Sequence, residues 1–148
     1  MTSFEIVTAV VAIAGLGLSI YNLYVTRRDK KPLLHSKISY GFREQGSKIG
    51  EPMLILEVAN AGEKTVRVVS VDLDLGKKKI TYPFIDGTQR FPFDLPSGQN
   101  AIFWTPKKEV MAKLQKGEYK GKVKLRAVFS DAIGTAHVSK PLRLPVNN

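Results

Sequence analysis

"GLSIYNLYVTRRDKKP", residues 17–32, is where this chain changes character. Upstream almost every residue is apolar, and all 23 Lys and Arg residues lie at or after Arg27. From Ile6 to Thr26 no residue carries a charge. As a helix rising about 1.5 Å per residue, that run spans roughly 30 Å, the thickness of a bilayer's hydrocarbon core. The stretch therefore predicts a transmembrane anchor over 1–26, a basic juxtamembrane linker over 27–32, and a separate domain over 33–148. A buried core helix would need a polar face that this run lacks. A signal peptide would carry its basic residues ahead of the apolar run, and here they follow it. Ala12-Ile13-Ala14 resembles a cleavage site but sits mid-run, and Arg27-Arg28 stands on the wrong side for a twin-arginine signal.

Charge sets the expected orientation. Arg27, Arg28, Lys30 and Lys31 flank one end of the run, while the other offers only the terminal amine against Glu5. The positive-inside rule then places residues 33–148 in the cytoplasm. The same four cations are the expected contacts to anionic lipid, at about 1 kcal/mol each near the surface. Tyr21 and Tyr24 fall where amphipathic rings prefer the membrane interface.

Inside the anchor, Glu5, Thr8, Ala12, Gly15, Ser19, Asn22 and Thr26 recur at alternating intervals of three and four residues. This is a heptad seam that gathers small and polar residues on one stripe. Helices in lipid associate through such residues by close backbone approach and interhelical hydrogen bonds. The expectation is self-association through Thr8, Ala12, Gly15, Ser19 and Asn22, hence a homo-oligomer. Two alternatives stand beside it. Ala9, Ala14 and Gly17 lie off the seam, so composition alone could produce it, and several copies could instead line a pore with the stripe.

Beyond Pro32 the chain reads as strands: 33–42, 53–60, 65–75, 79–84, 91–95, 100–104, 118–131 and 135–146, with a polar loop after Phe42. In the longest, Tyr119, Val123, Leu125, Ala127 and Phe129 share one face, and Lys120, Lys122, Lys124 and Arg126 the other. One short helix is expected between Thr105, as its cap, Pro106 at its first position, and Gly117 at its end. Its apolar face comprises Val110, Met111 and Leu114. The fold class is mainly β: a single transmembrane helix, then an antiparallel Ig-like β-sandwich with one short inserted helix. "KGEY" at 116–119 resembles a tyrosine-corner approach, with Tyr119 as the corner residue.

The layout is similar to a broad group of uncharacterised bacterial proteins with an N-terminal membrane anchor and a cytoplasmic Ig-like sandwich. The resemblance rests on "SIYNLYVTRRDKKP", the turn Asn60-Ala61-Gly62, "LPSG" at 95–98 and "SDAIGTAHVSKPL" at 130–142. It implies architecture and brings no catalytic residue; taken with the charge rule above, the expected location is a bacterial inner membrane.

Chemistry-bearing motifs are sparse. There is no Cys, so no disulfide, thiol nucleophile or cysteine-ligated metal is expected. His35 and His137 stand far apart in sequence with no carboxylate at ligand spacing, so no metal site and no cofactor are expected. Asp72-x-Asp74-x-Gly76 lacks the rest of a calcium loop and reads as a solvated strand face. No phosphate-binding glycine loop and no G-x-S-x-G elbow occur, and no catalytic residue is assigned. The basic balance is the stronger signal: from Arg27 onward 23 basic residues meet 12 acidic ones, leaving +11. Lys120, Lys122, Lys124 and Arg126, spaced about 7 Å apart on one strand face, form the candidate anionic-ligand face. Lys77-Lys78-Lys79 makes a second cluster. The plainer reading is a solvated face partly neutralised by Asp72 and Asp74 on a neighbouring strand. Few aromatics interleave with these cations, which argues against base stacking.

The leading expectation is a non-enzymatic, membrane-anchored scaffold that self-associates through its helix and presents the sandwich to a protein partner. The rival is a membrane effector or sensor whose basic domain binds nucleotide, nucleic acid or lipid head group, and which rearranges or perforates the membrane. A third reading, an exported tethered domain, requires the positive-inside rule to fail.

Overall fold

A computed structural model describes residues 2–28, 32–46, 48–76, 78–81 and 86–146. The chain divides into two compact units, Met1–Lys31 and Pro32–Asn148. The first is one helix, α1 (Ser3–Arg28), long and apolar enough to cross a membrane. Phe4, Val11, Ile13, Leu16 and Leu18 are all exposed on it. Apolar side chains around a whole helix call for apolar surroundings that this unit does not itself supply. The Thr8 and Ser19 hydroxyls donate to the carbonyls of Phe4 and Gly15, each at 2.9 Å, so neither is left unpaired within the helix. Lys30 and Lys31 of the expected linker lie outside the described residues, as do Lys77 and 82–84 of an expected strand.

The second unit packs two antiparallel sheets face to face. One runs β1 (Leu34–Gln45), β2 (Lys48–Asn60), β7 (Asn100–Pro106), β5 (Asp86–Gly87). The other runs β10 (Leu142–Val146), β8 (Gly121–Asp131), β3 (Val66–Asp74), β4 (Lys79–Thr81), with β6 (Phe93–Leu95) on β3 and β9 (Ala136–Val138) on β8. With β4, β6 and β9 set aside, the other seven strands lettered A to G in chain order give the ABED and GFC sheet orders of Ig-type sandwiches. Period-two alternation sends Leu54, Leu56 and Val58 of β2, and Ala101 and Phe103 of β7, inward to meet Val123, Leu125, Ala127 and Phe129 of β8. Phe103 bridges the two sheets, its ring 4.7 Å from Phe91 and 5.9 Å from Phe129. Helix α2 (Lys107–Lys116) lays Val110 and Leu114 on the same core.

Several local expectations change. The segment after Phe42 is not a loop: β1 and β2 stay paired out to Gln45 and Lys48, forming an arm beyond the part of β2 that pairs with β7. A bulge interrupts the arm, with Gly50 and Glu51 set against Arg43. A Cβ on Gly50 would collide with the Arg43 carbonyl, so only glycine permits that approach. Thr105 does not cap α2; β7 continues through it and turns its side chain inward, leaving Pro106 at the cap position without a side-chain bond. Gly117 does end the helix. Lys120 precedes β8 instead of lying on it. Tyr119 packs against the core as a corner residue would, but among the described residues its hydroxyl makes no hydrogen bond. The last expected strand is two, β9 and β10, split at Ser139, which exchanges two hydrogen bonds with Ala127.

Candidate binding surfaces

At 100° per residue, the unbroken helix α1 brings Thr8, Ala12, Gly15, Ser19 and Asn22 within about 80° of arc, so they share one face. A Cβ on Gly15 would meet nothing within 4 Å, leaving the surface open for a second backbone. Thr8 and Ser19 have spent their hydrogens on their own helix. The Asn22 amide has no hydrogen-bond partner among the described residues, which makes it the strongest donor on the face. Arg27 is exposed at the helix end.

On β8, Lys122, Lys124 and Arg126 are exposed on the outer sheet face. Their surroundings are uneven. Asp74 of β3 stands opposite Arg126, with Lys79 of β4 beyond it. Asp72 stands opposite Val128, and its Oδ1 is buried without a partner. Neutralisation by the neighbouring strand therefore reaches only one end of the row. At the other end β10 sets Arg143 opposite Lys124 and Pro145 opposite Lys122. Arg143 joins the face from a distant part of the sequence, and like charges placed directly opposite cost stability. Aromatics also approach it. The Tyr40 hydroxyl donates to the Arg143 carbonyl at 2.6 Å, and partial burial pushes its pKa up. Lys107 lies 5.4 Å from the Tyr40 ring centroid. Tyr40, Phe42, Lys107 and Arg143 line one cleft of about 330 Å³. None of Lys122, Lys124 and Arg126 lines that cleft, and Tyr40 reaches it through a pairing 103 residues apart in sequence.

His137 does have a carboxylate. Its Nε2 lies 2.9 Å from Asp131 Oδ2, with side chains only 10% and 2% exposed. The two sit six residues apart across the β8–β9 turn, where Asp131 Oδ1 also accepts from the Ile133 and Thr135 N–H groups. Burial raises the Asp131 pKa, but the His137 hydrogen bond, those two N–H groups and the His137 charge together outweigh it and hold it below 3.8. These contacts brace a turn. Among the described residues no group of three or more His, Cys, Asp or Glu could hold a metal ion.

A groove on the outer face of the β1–β2–β7–β5 sheet was not anticipated. Ile55 and Trp104 are cross-strand partners there, as are Trp104 and Asp86. Met53 is 5% exposed yet lies outside the sandwich core, because the groove side buries it. Phe42, Arg43, Met53, Ile55, Ile102 and Trp104 line one cavity of about 260 Å³. Arg43 and Trp104 also border a second, of about 560 Å³, with Asp86, Gln89, Arg90 and Phe91. The signal was present in the sequence: Met53–Leu56 and Ala101–Trp104 are apolar at every position, which means cover is needed on both faces. No family model matches this chain, and no curated protein matches it significantly.

Proposed function

We propose that this chain is a single-pass protein of the bacterial inner membrane whose Ig-like sandwich lies in the cytoplasm. It acts without catalysis, as an oligomeric scaffold that presents the sandwich to a protein partner. One observation carries the reading: every core residue of the sandwich lies between Leu34 and Val146, so the sandwich is complete without α1, whose apolar surface is left for a membrane. Assembly uses the seam of Thr8, Ala12, Gly15, Ser19 and Asn22. Arg27, Arg28, Lys30 and Lys31 hold the cytoplasmic side and contact anionic lipid. Cross-linking of the full-length protein in membranes tests the seam. A ladder of oligomers is expected, and Gly15→Ile combined with Asn22→Leu should weaken association about tenfold. An unchanged ladder in the double variant removes the seam from the mechanism.

The pairing of Arg143 with Lys124 supports a second reading, a sensor or effector that takes an anionic ligand on the β8–β10 face. A bridging anion would relieve the like-charge contact. Binding of the full-length protein to a polyanion should then fall with salt, and fall further in Lys122→Glu with Lys124→Glu. Salt-independent binding, or no binding at low salt, leaves the scaffold alone.

A further inference from the structure

We infer that the outer face of the four-stranded sheet is a binding site for a nucleoside phosphate, with the base against Trp104 and the phosphates held by Arg43 and Arg90. The inference rests neither on the scaffold reading nor on the cations of β8, which belong to the other sheet. It begins with an anomaly of patterning. An outward sheet face in water is normally polar, but here the central strands β2 and β7 turn Met53, Ile55, Ile102 and Trp104 outward. Gly41 lets the Ile55 side chain lie across β1 as part of that floor, where a Cβ would collide with it. The result is a concave surface with an apolar floor and a few converging polar groups, of the size small ligands occupy.

The polar groups define the ligand's chemistry. Arg43 and Arg90 are exposed and border one cleft together with Trp104. Among the described residues neither takes part in an ion pair. Two guanidiniums on one cleft suit an anion with several oxygens, since each offers a planar fork of donors. In the same lining the Trp104 indole offers a stacking surface for a flat ring. Among the described residues Asp86 is the only acid lining the cleft; as an acceptor it fits ribose hydroxyls or a base amino group, not phosphate. Gln89 can do the same from either end of its amide. A nucleic-acid strand would need successive platforms; among the described residues of the cleft that carries both arginines, Phe91 is stacked on Phe103 of the core, which leaves Trp104 for a ligand's ring. One ring and one anionic group make a mononucleotide. Arg90 is held at the rim because its neighbour Phe91 stacks on Phe103 of the core, and Arg43 is placed by the bulge opposite Gly50.

Trp104 is the chain's single tryptophan, so its emission reports the site without a label. Full-length protein in nanodiscs would be titrated with each of ATP, GTP, CTP and UTP while Trp104 fluorescence is followed. Equilibrium dialysis of the same nucleotides serves as an independent measure. The expected result is saturable quenching by at least one nucleotide below about 1 mM. Pyrophosphate should compete without quenching, and the matching nucleoside should bind more weakly than its triphosphate. Arg43→Glu and Arg90→Glu should each weaken binding at least about tenfold; both residues are exposed, and thermal melts check that the variants fold. Lys122→Glu with Lys124→Glu should leave quenching unchanged, which separates this site from the β8 face. Absence of saturable binding for all four nucleotides overturns the proposal. So does binding that survives both arginine reversals, or binding lost only in the β8 variant.

Discussion

Thr105 and Asp131 show how little the type of a polar residue says about its role. Thr105 looks like a helix cap in sequence, yet its hydroxyl is fully buried against the core and has no hydrogen-bond partner among the described residues. A buried unpaired hydroxyl is a cost to the fold. Thr105→Val keeps the shape and removes that cost, so denaturant unfolding should show stability unchanged or raised by up to about 1 kcal/mol. A loss of that size would mean the hydroxyl is satisfied, for instance by a buried water. Asp131 is the opposite case, a buried carboxylate with its oxygens occupied. Its folded pKa is depressed, so its stabilisation is present above the ordinary 3.8 and is lost as pH falls through the lower folded value. Asp131→Asn should cost about 1–3 kcal/mol at neutral pH. It should also flatten the acid limb of a stability–pH profile below about pH 4. An unaltered acid limb would show that other carboxylates govern it. The pair with His137 was invisible beforehand because the bond crosses a turn whose geometry, not its spacing, brings the two together.

At the scale of elements, long periodic segments were legible and their ends were not. Helix α1 and strand β8 follow from hydropathy and alternation, and α2 lies where its apolar face predicted. The failures lie at boundaries, in one expected loop that pairs as the β1–β2 arm, and in one expected strand that divides into β9 and β10. The β1–β2 arm reads as a loop in sequence because Glu, Gln, Gly and Ser dominate it, yet ladder hydrogen bonds outweigh such weak preferences once the flanking strands are in register. The ends of β7 and α2 moved for a related reason: Thr105 is needed as an inward strand residue before Pro106 can turn the chain. Within α1 the cross-linking experiment gains a control from the same helical geometry. Gly17 lies off the seam, and a Cβ there meets nothing either. Gly17→Ile should therefore leave the oligomer ladder intact while Gly15→Ile with Asn22→Leu weakens it. Equal loss in both would point to general crowding of the helix instead of a specific face.

For the whole molecule, the division into an apolar helix and a self-sufficient sandwich leads to a prediction of sidedness. A reporter active only in the cytoplasm, fused after residue 148, should be active, and a periplasm-only reporter silent. The reverse result would favour an exported domain and end the scaffold reading as proposed. The chain's own sequence determined the composition break at residues 17–32, the antiparallel β class of the rest and the cationic row of β8, because these depend on runs and periods of neighbouring residues. Only the tertiary structure decided which faces are shared. It set Arg143 beside Lys124, Tyr40 beside Arg143 and His137 against Asp131, and it brought Arg43, Arg90 and Trp104 around one groove. Sheet pairing joins strands distant in sequence and sends alternate side chains to opposite faces, so a site built across several strands leaves only a partial local trace, here the unbroken apolar runs Met53–Leu56 and Ala101–Trp104.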